Sequence, residues 1–82
     1  MSGLIERLEA GERSNALDVL VEVALFEADE IYFDAVANNA GTKVIYAKRD
    51  GSFQTAWAPD WSLRSEMAIE ALRAHQSKDQ PR

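Results

Sequence analysis

The spacing of apolar residues changes several times along this chain, and each change marks an element. Leu4, Ile5 and Leu8 fall on one side of a helix, with Glu6, Arg7 and Glu9 on the other. The helix spans residues 4–10. Gly11 ends it, because glycine accepts the left-handed conformation past a helix C-terminus. Ser14 or Asn15 caps a second helix that runs to about Phe26. Its side chains are apolar in almost every direction: Leu17, Val19, Leu20, Val21, Val23, Ala24, Leu25 and Phe26 leave only a narrow polar edge at Asp18 and Glu22. Such a helix has to be buried on more than one side, by a sheet on one and by a helix or another chain on the other. The valines also allow a strand, but the length of the run favours the helix.

Glu27 to Glu30 is a polar break. Ile31 to Ala37 then reads as a strand from its β-branched and aromatic content, with a short helix bearing Ile31, Ala35 and Val36 as the rival. Asn38-Asn39-Ala40-Gly41 is turn chemistry. Lys43 to Lys48 is a second strand, centred on Val44, Ile45 and Tyr46, and Asp50-Gly51 suits a two-residue type I′ turn. Ser52 to Trp57 returns as a third strand with Phe53, Thr55 and Trp57 on one face. Pro59 stops the sheet. Asp60 or Ser62 caps a last helix over 62–75, whose stripe is Leu63, Met67, Ala71 and Ala74 flanked by Ala68 and Leu72. The pattern predicts an α+β fold, α-α-β-β-β-α, with a three-stranded antiparallel meander. One domain covers 1–76, and 77–82 is a frayed polar tail. The second and last helices could cover both faces of the sheet, or share one and leave the other to a partner.

Length and composition narrow the function. A domain of 82 residues has a thin core, and the absence of cysteine excludes disulfides and thiolate metal sites. Self-association is the remaining aid to so small a fold, so a homo-oligomer is expected. The net charge of -5 is uneven: residues 1–42 carry nine acids against two bases and residues 43–82 carry five against seven, leaving -7 and +2. One reading is an ordinary solvated surface whose halves neutralise each other. The other is an acidic face that docks on something basic. Direct nucleic-acid binding is disfavoured, since phosphate affinity needs clustered Lys and Arg; it would require Lys43, Lys48, Arg49 and Arg64 on one surface. No apolar run approaches the roughly 18 residues of a membrane span. Met1 to Arg7 lacks the charged and apolar regions of a signal peptide. The expectation is a cytoplasmic protein without membrane contact.

Candidate chemistry is sparse. His75, the one histidine, stands in the last turn of the C-terminal helix with no Ser-His-Asp or metal spacing around it. Glu27, Asp29, Glu30 and Asp34 could gather on one edge, but they lack the ligand ladder of a calcium loop; they read as a solvated loop or as a protein-docking patch. Trp57 and Trp61 flank Ala58-Pro59-Asp60 and form either a recognition platform or architecture. In the second case Trp57 is core at a strand end, Trp61 packs beside the helix start, and Asp60 serves as cap or indole partner. The four glycines are scattered and build no phosphate loop. No enzyme, cofactor or metal site is expected. A pocket joining two or more of Asp60, His75 and the loop carboxylates would change that.

Two segments resemble known proteins. Leu4-Ile5-Glu6-Arg7-Leu8-Glu9-Ala10 followed by Ala16-Leu17-Asp18-Val19-Leu20-Val21-Glu22 resembles the opening of short phage and prophage proteins. Trp57-Ala58-Pro59-Asp60-Trp61-Ser62 resembles the Pro-x-Trp/Tyr-Ser/Thr corner of the same proteins and of the phage ABA sandwich family, a small α-β-α domain. The resemblance implies a host- or virion-related accessory role in a phage or prophage of a bacterium, and it brings no assigned activity that could be carried over residue by residue. The expected function is therefore a non-enzymatic interaction module contacting a protein partner or itself. The alternative is an acidic, nucleic-acid-mimicking inhibitor of a host defence protein.

Overall fold

Helix α2 (Asn15–Leu25) is the hub around which the chain is built. The computed structural model describes residues 3–78. Ser14 caps α2: its backbone is extended and its Oγ accepts the Leu17 N–H at 3.1 Å. The two apolar sides of the helix enter two separate clusters. Leu17 and Val21 meet Ile5 and Leu8 of α1 (Gly3–Glu9) and Ala68 and Leu72 of α3 (Ser65–Lys78). Val19 turns the other way, onto Ala35 and Val44 of the sheet, with Val23 and Phe26 beside it. The double burial that the pattern demanded is thus met within one chain, and α2 needs no second molecule to cover it.

The sheet is a meander of β1 (Tyr32–Ala37), β2 (Val44–Lys48) and β3 (Phe53–Ala56), antiparallel and in that spatial order. The fold is α+β with the order α-α-β-β-β-α. Ala35 pairs with Tyr46 and Ala37 with Val44, so these residues share the face turned to α2. A bulge between Tyr32 and Asp34 inserts Phe33 into β1. Asn38 holds the first turn, its Oδ1 accepting the Thr42 N–H at 2.9 Å, and Gly41 takes a positive φ of 71°.

The second turn differs from the expected type I′. Asp50 has no positive φ; Gly51 alone does, at 93°. Gly51 N–H donates to the Lys48 carbonyl at 3.1 Å, and Lys48 N–H to Ser52 at 2.8 Å. The loop is therefore three residues long, Arg49-Asp50-Gly51, with glycine in the left-handed position that such loops require.

The last helix also departs from its predicted phase. A 3₁₀ turn (Trp61–Arg64) precedes α3. It advances about 120° per residue rather than 100°, which sets Leu63 out of phase with α3; within α3 itself, the side turned to α1 and α2 is one residue on from the expected stripe. The buried positions are Ala68 and Leu72, while Leu63 and Met67 lie largely in solvent. Helix α3 continues through Lys78, past the boundary at 76. Residues 79–82 of the expected tail lie outside the described residues.

Helix α3 packs on α1, α2 and the 3₁₀ turn, and α2 supplies the helical cover of the sheet. The molecule is flat, 38 × 36 × 17 Å, with a radius of gyration of 13.0 Å against about 12 Å for a compact chain of this length. Two small cores stand side by side, and among the described residues no element packs on the other face of the sheet.

Candidate protein-contact surface

Alternation along the strands assigns the uncovered face. Residues paired across an antiparallel ladder share a side. One outer row is Asp34, Ala47 and Phe53, and the next is Val36, Ile45 and Thr55. Lys43 and Trp57 continue the ladder as a third row, with the Lys43 Nζ 4.7 Å from the centre of the indole ring. The bulge adds Phe33 to this side. Phe33, Val36, Ile45 and Phe53 ring a hollow of about 160 Å³ over Ala47. Phe53 is 71% exposed, Trp57 66%, Phe33 50% and Val36 47%. A contiguous apolar face of this kind, holding three aromatic rings, is the common signature of a contact surface.

The two tryptophans have opposite fates. Trp57 was expected as core at a strand end if the corner were architectural, yet it stands in solvent on the outer face. Trp61 does pack beside the helix start: it joins the helical cluster, and its Nε1–H donates to Glu22 Oε1 at 2.9 Å. The Tyr46 hydroxyl donates to the other oxygen, Glu22 Oε2, at 2.7 Å. Burial first, and the Glu22 carboxylate second, push the Tyr46 phenol above its ordinary value, so it stays a donor. Glu22 thereby ties β2 to the 3₁₀ turn. Its partner on the supposed polar edge, Asp18, is buried and accepts the Ser62 N–H at 2.6 Å. Neither residue could be recognised as an internal acceptor from spacing alone. Asp60 is neither indole partner nor side-chain cap; only its carbonyl serves, accepting the Leu63 N–H at 3.1 Å.

The loop carboxylates are divided among tasks. Asp29 Oδ1 accepts the N–H groups of Tyr32 at 2.8 Å and Ile31 at 2.9 Å, and the Asp29 carbonyl accepts Arg49 Nε–H at 2.8 Å. It fixes the entry to β1. Glu30 is exposed, and Asp34 belongs to the outer face, where Oδ1 accepts the Ala35 N–H at 2.9 Å. Glu27 lies 3.5 Å from His75 Nδ1 at an open groove between α2 and α3, floored by Phe26, Trp61 and Ala71. This joins a histidine and a loop carboxylate; among the described side chains that line the groove none is a serine or threonine, and Glu22 already takes two donors. Among the described residues no three His, Asp or Glu side chains are placed to hold a metal ion. Elsewhere, Arg7 binds Glu12 and Arg73 binds Glu9 at 3.1 Å, so part of the acidic first half is paired. Lys43, just before β2, and Lys48, at its end, lie on opposite faces, over the Trp57 and Tyr32 rings respectively, which splits the basic set that nucleic acid would require.

The backbone N–H groups of Tyr32 and Ile31 hold the Asp29 carboxyl below its usual range, and the Ser52 hydroxyl and N–H do the same for Asp50. A depressed carboxyl stabilises the fold above its unfolded value, and that contribution disappears as pH falls through the folded value. The thermal midpoint should hold steady from neutrality to about pH 5 and drop below about pH 4. Asp29→Asn keeps an oxygen for the same two N–H groups, so it should start lower at pH 7 and decline less in acid. Parallel curves for the two proteins would show that Asp29 does not contribute to the acid response.

Comparison with protein-family models, curated proteins and solved structures found no match to this chain.

Proposed function

We propose that this chain is a non-catalytic interaction module of phage or prophage type, acting in the bacterial cytoplasm through protein contacts made by the outer face of its sheet. The observation that carries this reading is the exposed apolar set of Phe33, Val36, Phe53 and Trp57 on the outer face. Full burial of such a side chain from water is worth about 1.5–3 kcal/mol, and the roughly half to two-thirds still exposed here leaves a corresponding part of that to be gained by covering the face. The non-catalytic reading is supported by the groove at His75, where the Glu22 carboxylate is committed to two structural donors, the Tyr46 hydroxyl and the Trp61 indole. No helix among the described residues is long and apolar enough to cross a membrane. The phage-type assignment rests on the resemblance of the Leu4–Ala10 helix and the Trp57–Ser62 corner. Mimicry of nucleic acid has less support, because Glu9 and Glu12 are engaged by arginines and Asp18 and Asp29 by backbone N–H groups.

A photo-crosslinking phenylalanine analogue placed at Phe53 tests the reading in bacterial cells, with the same analogue at the exposed α3 position Glu70 as control. Adducts are expected at 53 and not at 70. Equal yields at both positions, or none at 53, would remove the outer face as the working surface.

A further inference from the structure

We infer that the occupant of the outer face is a second copy of this chain, packed sheet to sheet about a two-fold axis that crosses the strands at Ile45. The inference rests on the reading of that face as a protein-contact surface and adds the identity and orientation of the partner.

Two charges identify the occupant. Asp34 and Lys43 are the ionisable residues of the three outer rows, and they stand at opposite ends, two rows apart. Neither has an ion-pair partner among the described residues. Asp34 takes one backbone N–H, and Lys43 lies over Trp57. A charge covered by an apolar partner has to be paired, so the occupant must bring a cation to one end of the face and an anion to the other. A second copy does this without any further requirement.

The orientation follows from the same residues. A two-fold axis of a face-to-face pair lies in the interface, either along the strands or across them. Along the strands, each row meets itself: Lys43 opposes Lys43 of its mate, and Asp34 is set over the Phe53 ring. Across the strands, the end rows exchange. Phe53 then meets the Trp57 of the second copy, the middle row of Val36, Ile45 and Thr55 meets itself, and Lys43 extends over the hollow at Ala47 beside Asp34. Successive rows are about 6.7 Å apart along a strand and packed sheets about 10 Å apart, distances a lysine side chain spans. The second arrangement pairs both charges twice and stacks aromatic on aromatic; the first leaves like charges together. The product is a four-layer α/β/β/α sandwich in which the hairpins of the two copies point in opposite directions.

The test is the mass in solution of the full 82-residue chain at about 100 μM, pH 7.5 and low salt, where ion pairs are least screened. Twice 9.1 kDa is expected. Phe53→Glu should weaken the dimer by roughly a hundredfold or more, with an unchanged circular dichroism spectrum because the side chain is exposed. Asp34→Lys alone and Lys43→Glu alone should each weaken it by roughly tenfold. Mixing these two single variants should restore association, since both cross-pairs become attractive, and so should the double variant in one chain. Structural damage by either substitution would not be repaired by mixing. A monomer at this concentration whose Phe53 analogue still captures other proteins would overturn the second copy and leave the contact surface standing. A dimer indifferent to all three single variants would also overturn it. A monomer with no adducts at 53 would remove both readings.

Discussion

Leu17→Ala should cost about 3 kcal/mol of folding stability, the largest loss expected from any single truncation in this chain. Leu17 has no exposed surface and sits where α1, α2 and α3 converge, among Leu8, Val21, Ala68 and Leu72. Removing its isopropyl group empties a site bounded by three helices that are tied in place elsewhere, so collapse around the void is limited. Domains of this size hold about 5–15 kcal/mol in total, and a loss of this magnitude would shift the urea midpoint far to the left. Leu20 on the same helix, 39% exposed, is the internal comparison: its alanine variant should lose less than about 1 kcal/mol. Similar losses at both positions would mean that α2 is rotated about its axis relative to the arrangement described.

Asp18→Ala should cost about 2–3 kcal/mol, an effect more typical of a core residue than of an acid drawn on a helical wheel as a polar edge. The carboxylate accepts the Ser62 N–H at 2.6 Å in a buried setting, linking positions 44 residues apart. Alanine leaves that N–H buried without a partner, and the desolvation cost of the orphaned donor dominates the loss. Asp18→Asn keeps a carbonyl oxygen in place and should lose only about 1 kcal/mol. Urea titration of the three proteins decides it. An asparagine variant as weak as the alanine one would shift the explanation from the hydrogen bond to the charge.

These two residues also show where a reading of the sequence succeeds and where it stops. Element order is legible because the local periods are distinct: two helical patterns, three short strands and glycines at the breaks. The need of α2 for cover on two sides is legible from the lack of a polar face. The side of the sheet shared by Phe53, Thr55 and Trp57 follows from alternation alone. Whether that side is covered does not, because the answer depends on where the last helix lands. The Asp18–Ser62 bond and the 3₁₀ turn place that helix, and both are tertiary facts. The expected stripe misses by one residue inside α3, because apolar side chains stand at both 67/71 and 68/72 and only packing on α1 and α2 chooses between them. Trp57 and Trp61 look alike in sequence as the two flanks of a corner. The chain turns between them, and one ring goes out while the other goes in. Asp29 was visible as part of an acidic loop, but its role as acceptor for two backbone N–H groups depends on turn geometry that composition does not encode.

The divergence of the two tryptophans gives the protein two independent optical reporters. The Trp61 indole is anchored to a carboxylate within the helical half, so its emission follows the integrity of the fold. The Trp57 indole faces water beside an ammonium group, so its emission follows whatever settles on the sheet. A Trp57→Phe protein would be silent to association and responsive to urea, and a Trp61→Phe protein would report association from the remaining ring. Covering of the face and melting of the core can therefore be followed separately in one chain by its own side chains, without any added label.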